Sequence, residues 1–263
     1  MANSFTAKDV QSLRQLTGAG MLDCKQALEE TGGDIPAASR LLRERGKSAV
    51  VKRSEREAAQ GAVAMVVDVT GALVELRCET DFVAKAPEFV ELAQDLASAV
   101  AAKGEGAASE RSSDVEALAI ALKENITLGR VVCFEPAEGS VVDGYLHVQS
   151  DRGVNGVLVE LAGGTQALAH DIAVHIAFTR PAYLTREDVP AEEVAAERAT
   201  IEAISRHEGK PEAAMPKIVE GRLNGWFKER CLLDQGWVRD EKQTIAALLG
   251  KARVVRFAQV SVA

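Results

Sequence analysis

Gly71-Ala72-Leu73-Val74-Glu75-Leu76 returns 85 residues later as Gly156-Val157-Leu158-Val159-Glu160-Leu161. Both copies are apolar and rich in β-branched residues, which predicts strands. Each follows another candidate strand and leads into helical spacing. Before the first copy, residues 62–67 read as a strand, separated from the strand at 72–78 by Asp68-Val69-Thr70-Gly71. Phe89, Leu92, Leu96 and Val100 then share one helical face, a second helix is expected at 115–122, and a short strand at 130–134. The same strand–strand–helix order on either side of a repeated hexapeptide predicts a tandem duplication of a small α+β unit.

Working outward, the first 46 residues read as three short helices. Thr6 caps the first, with Asp9 completing a capping box, and Gly18-Ala19-Gly20 ends it. The second runs over 21–30 with Leu22, Ala27 and Leu28 inward. The third starts at Asp34, buries Ile35, Ala38, Leu41 and Leu42, and is expected to stop at Gly46. Residues 47–60 form a polar linker. Between positions 40 and 56 seven basic residues (Arg40, Arg43, Arg45, Lys47, Lys52, Arg53, Arg56) face two acidic ones. A solvated surface and a basic patch for an acidic partner both fit that stretch.

The second copy is interrupted. Between Pro190 and Arg230 lie two helices joined at Gly209-Lys210-Pro211, with Val194, Ile201 and Ile204 lining one and Met215, Val219 and Trp226 the other. So thin an apolar seam predicts an inserted antiparallel coiled-coil hairpin. A helix at 244–249 and a strand at 254–260 return the chain to the second sheet. The expected division is therefore 1–46, 47–60, 61–136, then 137–184 with 241–263, and the hairpin at 185–240.

Composition narrows the function. Of 263 residues, 47% are apolar and 27% charged, enough to bury a core, and the formal charge of −8 disfavours a sequence-independent nucleic-acid binder. No run of 18 apolar residues appears, and the N-terminus lacks the build of a secretory signal. Four scattered cysteines without a CxxC pair read as reduced thiols in the cytoplasm, with neither metal-site spacing nor a disulfide framework.

Catalytic patterns fail one by one. Gly46-Lys47-Ser48 follows a helix and has Leu41 where a P-loop needs glycine; Gly18-Ala19-Gly20 has Asp23 where a dinucleotide fingerprint needs one. His170 and His175 lie about 140° apart around a helix, too far for one metal. Cys78 alternates with Val74 and Leu76 onto one strand face, which marks a core thiol rather than a nucleophile. No cofactor or metal is expected.

The duplication itself points to a site. Thr80 and Thr165 match at the 85-residue offset, and both read as N-caps. Gln166 and Ala167 follow the second, whereas Asp81 and Phe82 follow the first. Aromatics are only 4% of the chain. Phe82 at a strand-to-helix corner is either a protruding contact or a staple folded onto the core.

These residues carry a resemblance. Thr80-Asp81-Phe82-Val83-Ala84, after Leu76-Arg77-Cys78-Glu79, is similar to the signature of the elongation factor Ts family. Leu13-Arg14-Gln15-Leu16-Thr17-Gly18-Ala19-Gly20-Met21-Leu22-Asp23-Cys24-Lys25 resembles that family's N-terminal signature, and Gly209-Lys210-Pro211 with Lys217-Ile218-Val219-Glu220-Gly221-Arg222-Leu223 is a third match. The resemblance implies a ubiquitin-associated-like three-helix domain, a duplicated α/β-sandwich core and a coiled-coil insertion. It implies guanine-nucleotide exchange on the GTPase elongation factor Tu in translation, with no nucleotide site in this chain and no nucleic-acid or membrane partner. Thr80, Asp81, Phe82 and Val83, with His147 of the second half, would carry exchange. Thr17, Gly18, Ala19, Gly20 and Met21 would grip the partner elsewhere. Two departures are visible: Leu122-Lys123 stands where the family often has Ile-Gly before Glu124-Asn125, and a short C-terminal helical module of some members has no counterpart before Ala263. A rival reading makes residues 1–46 a ubiquitin-associated-like module on an inert scaffold; a third is a cysteine-dependent enzyme.

Overall fold

The computed structural model describes residues 5–262; the first four residues and Ala263, part of the outermost expected units, lie outside the described residues. The N-terminal bundle comprises α1 (Ala7–Thr17), α2 (Met21–Glu30) and α3 (Ile35–Arg53). The Thr6–Asp9 capping box opens α1, Gly18 closes it in the left-handed conformation (φ 67°), and Asp34 caps α3. Val10, Leu13, Cys24, Ala27, Leu28, Ala38 and Leu42 fill the core of the bundle.

Two expectations fail in this bundle. Leu22 is 66% exposed, and Cys24 takes the inward place two residues on. The third helix does not stop at Gly46. It continues to Arg53, so only six residues of the expected linker precede the first strand. Gly46 is there for packing: a Cβ on it would stand 2.7 Å from Ile120 Cγ2 on the neighbouring helix α7 (Ser112–Leu122). That approach offsets the roughly 1 kcal/mol that a mid-helix glycine costs relative to alanine. The basic stretch is largely spent internally. Arg53 is buried and donates to the Ala119 carbonyl at 3.2 Å, while Arg45, Lys47 and Arg56 pair with Glu30, Glu116 and Glu79.

The core is built twice. In the first half, β1 (Gln60–Val67), β2 (Gly71–Cys78) and β3 (Thr127–Phe134) form an antiparallel sheet in that order. Between β2 and β3 lie the single turn α4 (Asp81–Ala84), then α5 (Pro87–Lys103), α6 (Gly106–Glu110) and α7. In the second half β4 (Ser140–Gln149) and β5 (Arg152–Ala162) are followed by α8 (Gln166–Thr179), and β8 (Arg253–Ser261) completes a sheet ordered β4-β5-β8.

The two sheets pack face to face through Val63, Leu73, Val132, Phe134, Val142, Leu158, Ala258 and Val260. Helix α5 covers the outer face of the first sheet and α8 that of the second. The central strands β2 and β5 are thus covered on both faces, which is why the repeated hexapeptide reads as a nearly unbroken apolar run. The one polar residue of each copy is equally buried. Glu75 accepts from Arg77 Nε (2.7 Å) and the Arg130 amide (2.8 Å); Glu160 accepts from Arg256 Nε (2.7 Å) and the Ala137 amide (3.0 Å). Both sit where the register against the third strand shifts. A buried carboxylate survives only with such partners.

The insertion holds α9 (Ala191–His207) and α10 (Met215–Arg230), which pack on one another through Ile201, Met215, Val219, Leu223 and Phe227. The seam follows the i, i+4 row of α10, so Phe227 is buried where Trp226 was expected. Trp226 is half-buried beside Phe227 and under Arg230, and on α9 Ser205 is buried while Ile204 is 48% exposed. The segment after α10, including the short pair β6 (Gly236–Trp237) and β7 (Asp240–Thr244) and helix α11 (Ile245–Leu249), belongs to the body. Leu232 is buried among Val157, Ile172 and Ile245. The expected insertion at 185–240 therefore reaches about ten residues too far into the core at its C-terminal end.

Candidate functional site

Strand β2 ends at Cys78, and the chain turns at Glu79 and Thr80 into α4. Thr80 Oγ1 accepts from the Val83 amide at 3.4 Å, just as Thr165 Oγ1 accepts from Leu168 at 3.2 Å in the second half. The two caps are the matched pair that the repeat predicts. Phe82 is 82% exposed, so the staple reading fails: its ring covers nothing. The turn is anchored from beneath by Ala84, which is fully buried, and by Val83, which is half-buried against the first-half core. Of the four corner residues, Val83 therefore faces mainly inward.

Asp81 bonds Lys85 Nζ at 2.7 Å, one turn on. That bond holds its carboxyl below the usual range, with the Arg152 charge acting in the same direction. Arg152 opens β5, is buried, and donates to the Gly61 carbonyl of β1. It is thus a tie between the two halves whose charge also reaches Asp81. The same Arg152 lines an open groove with Tyr145, His147, Phe178 and Arg180. His147 lies exposed near the end of β4, its Nδ1 3.3 Å from Tyr145 Oη. Phe178 was missed in the sequence, although it falls off the Ala169–Ile172–Ala173–Ile176 stripe of α8; it is 80% exposed.

A second unforeseen residue is Glu124. Its Oε2 accepts the Glu79 amide (3.0 Å) and the Thr80 amide (3.1 Å), and its Oε1 accepts the Thr80 hydroxyl (2.5 Å). Asn125 closes the clasp: its amide donates to Glu79 Oε1 at 2.7 Å, and its side chain donates to the Arg56 carbonyl at 2.7 Å. Lys123, just before them, is left-handed (φ 59°) and reaches Asp23 Oδ2 at 2.9 Å.

That ion pair brings the N-terminal corner to the core. Gly18, Ala19 and Gly20 link α1 to α2, and Thr17 Oγ1 donates to the Leu13 carbonyl at 2.7 Å. Met21 is 48% exposed, with Leu16 (68%) and Leu22 (66%) as apolar companions that the sequence reading did not single out for contact. The structure brings Gly20 and Asp23 beside Lys123, sets the Arg152 charge within reach of Asp81, and puts His147 in the groove that Arg152 also lines.

Among the described residues no helix is long and apolar enough to cross a membrane, and no three His, Cys, Asp or Glu side chains group as metal ligands. Burial pushes the Cys78 thiol up to about 12 and the Cys231 thiol up to about 11, so both stay protonated and unreactive near neutral pH. Among the described residues all four cysteines are free thiols.

Comparison with known proteins shows the family. The family model described as "Elongation factor TS" matches residues 79–263, from the start of the exposed corner onward. Elongation factor Ts of Acidothermus cellulolyticus is 47% identical over 271 residues, covering 97% of this chain and 97% of that protein. Elongation factor Ts of Mycobacterium ulcerans is 48% identical over 266 residues, covering 97% and 95%. That of Mycobacterium tuberculosis strain H37Ra is 47% identical over 281 residues, covering 98% of each. With its repeated core, its inserted hairpin and a match that spans nearly the full chain, the protein belongs to the elongation factor Ts family.

Proposed function

We propose that the chain is a guanine-nucleotide exchange factor for the GTPase elongation factor Tu, acting in the cytoplasm during translation elongation. The observation that carries this reading is Phe82: a large apolar ring, 82% exposed, on a turn whose backbone is held from both sides. An exposed aromatic on a fixed backbone has only its own side-chain freedom to lose on binding, since the main chain is already ordered.

A GTPase holds GDP through backbone amides around the phosphates, a lysine, and a Mg²⁺ bridging phosphate and protein oxygens. The factor need not touch the nucleotide. It binds more tightly to the GTPase conformation in which the Mg²⁺ and phosphate ligands are displaced. Linkage then requires that it weaken nucleotide binding by the same factor by which nucleotide weakens its own binding. Phe82 acts as the wedge, Asp81 adds a charged contact beside it, Thr80 and Val83 fix the turn, and His147 contacts the same partner from the second half. Thr17, Gly18, Ala19, Gly20 and Met21 form the grip, on a three-helix bundle of the ubiquitin-associated kind. No covalent bond is made or broken, so the activity is exchange and not catalysis of a chemical reaction.

The test is release of fluorescent GDP from purified elongation factor Tu. The protein should accelerate it in a concentration-dependent, saturable way. Release that stays at the intrinsic rate would refute the proposal, and binding carried by residues 1–46 with an inert core would favour a simple adaptor instead.

A further inference from the structure

The wedge reading leaves one question open: what aims Phe82? Helix α4 is a single turn of four residues, far too short to be stable by itself. The ring, being exposed, gains no direction from packing. Its orientation must therefore come from the main chain just before it.

That main chain is held by one carboxylate. Glu124 lies 44 residues further along the sequence, and it takes the amides of both Glu79 and Thr80 together with the Thr80 hydroxyl. Charge-assisted bonds of this kind are roughly twice as strong as neutral ones. Thr80 Oγ1 in turn receives the Val83 amide, so the hydroxyl that Glu124 orients is the one that closes the turn carrying Phe82. Glu79 returns the clasp by accepting the Asn125 amide.

We infer that Glu124 is the positioning residue of the exchange corner, acting on the partner only through the backbone that presents Phe82. Its neighbour Lys123 also meets Asp23 of the N-terminal bundle, but through an exposed ion pair that adds little to the clasp. This inference rests on the exchange reading for its functional half, while its structural half stands by itself.

The experiment is a double-mutant cycle with an independent structural readout. Glu124→Ala and Phe82→Ala are made singly and together, and Glu124→Gln is made as the variant that keeps one acceptor oxygen. Residues coupled through one network typically show interaction energies that correspond to roughly 2- to 150-fold. Stimulated GDP release should fall about tenfold in Glu124→Ala and by less in Glu124→Gln, yet change less than about twofold when Phe82 is already alanine. Full loss in both backgrounds would mean that Glu124 touches the partner directly or merely supports the fold, and would overturn the inference.

Amide hydrogen exchange, read by NMR on the free protein, decides the structural half. In Glu124→Ala the Glu79 and Thr80 amides should lose protection while those of β2 keep theirs. Unchanged protection at both positions overturns the inference even if the wild-type protein proves not to stimulate GDP release. Failure of the exchange reading alone would appear as no stimulation by any variant, with the two amides still deprotected.

Discussion

Gly156 lies against Leu73, so close that a Cβ on the glycine would stand 2.6 Å from Leu73 Cδ2. The converse contact exists at the same offset: a Cβ on Gly71 would stand 2.9 Å from Leu158 Cδ2. Residues 71 and 73 of one half thus meet 158 and 156 of the other, the reciprocal pattern of a two-fold interface. Each glycine gives up a side chain so that the leucine of the opposite copy can enter.

Gly156→Ala should therefore destabilise the protein by about 1–3 kcal/mol through overpacking, since Leu73 is fully buried and cannot step aside. Leu73→Ala alone should cost about 2–5 kcal/mol. Together the two should cost less than their sum, because the shortened Leu73 removes the nearer of the two close contacts that the new methyl would make, the other being Val63 Cγ1 at 2.9 Å. Additive losses in denaturant midpoints would show that the two positions do not share a face.

Phe82→Ala should leave stability within about 0.5 kcal/mol, as for a surface site. Its loss from the complex should cost on the order of 2–4 kcal/mol, as at an interface hot spot. That is roughly 30- to 1000-fold in stimulated GDP release. A well-folded variant with normal exchange would leave the wedge without support.

Among the cations between the N-terminal bundle and the core, Arg53 and Lys123 differ most in standing. Arg53 is 8% exposed and donates to the Ala49 and Ala119 carbonyls, whereas the Lys123 side chain is 64% exposed. Arg53→Ala should loosen the bundle by about 1–3 kcal/mol. Lys123→Ala should cost under about 1 kcal/mol, and the effect should vanish in high salt. Amide protection in α1 and α2, compared with that in β2, checks both; equal effects would contradict the assignment.

His175 is fully buried, and its Nδ1 accepts the Val238 amide at 3.3 Å, which leaves Nε2–H to donate to Gln235 Oε1 at 2.9 Å. Burial lowers its pKa below the ordinary value of 6.5, partly opposed by the Gln235 bond. A histidine depressed in the folded state stabilises fully above the unfolded value. That contribution is lost as the pH falls below about 6.5 and the unfolded chain takes up the proton first. Acid unfolding of the wild type should therefore be steeper between about pH 6.5 and 5 than that of His175→Gln. Parallel profiles over that range would contradict the neutral, buried imidazole.

Excising the hairpin should depend sharply on where it is cut. Removing residues 190–229 across a short Gly-Ser joint takes away α9 and most of α10 but spares Leu232 and Gln235. The second sheet should then keep its melting transition. Removing 185–240 deletes both residues and should collapse that half. Two cuts with the same melting temperature would place the segment after α10 outside the body.

What was legible in the sequence was what local chemistry decides. The repeat, the Thr6, Asp34, Thr80 and Thr165 caps and the return of 254–260 to the second sheet all follow from spacing and short-range hydrogen bonding. Leu22, Gly46 and Trp226 were misread because each depends on what another element brings to it. Gly46 reads as a helix stop until Ile120 is placed beside it. Trp226 is only one residue from the buried row, about 100° around the helix. At the site, the scarcity of aromatics singled out Phe82 at its corner but left open whether the ring protrudes or folds onto the core. Glu124 was not, since nothing at position 124 announces a partner 44 residues away.

That distance has a practical meaning. The surface that presents Phe82 is a discontinuous epitope, assembled from the end of β2 and the residues after α7. A synthetic peptide covering residues 77–86 would contain every side chain of the corner and none of its shape. Such a peptide should neither compete for the GTPase nor raise antibodies that block the native protein, whereas a binder selected on the folded chain would see both strands of the epitope at once.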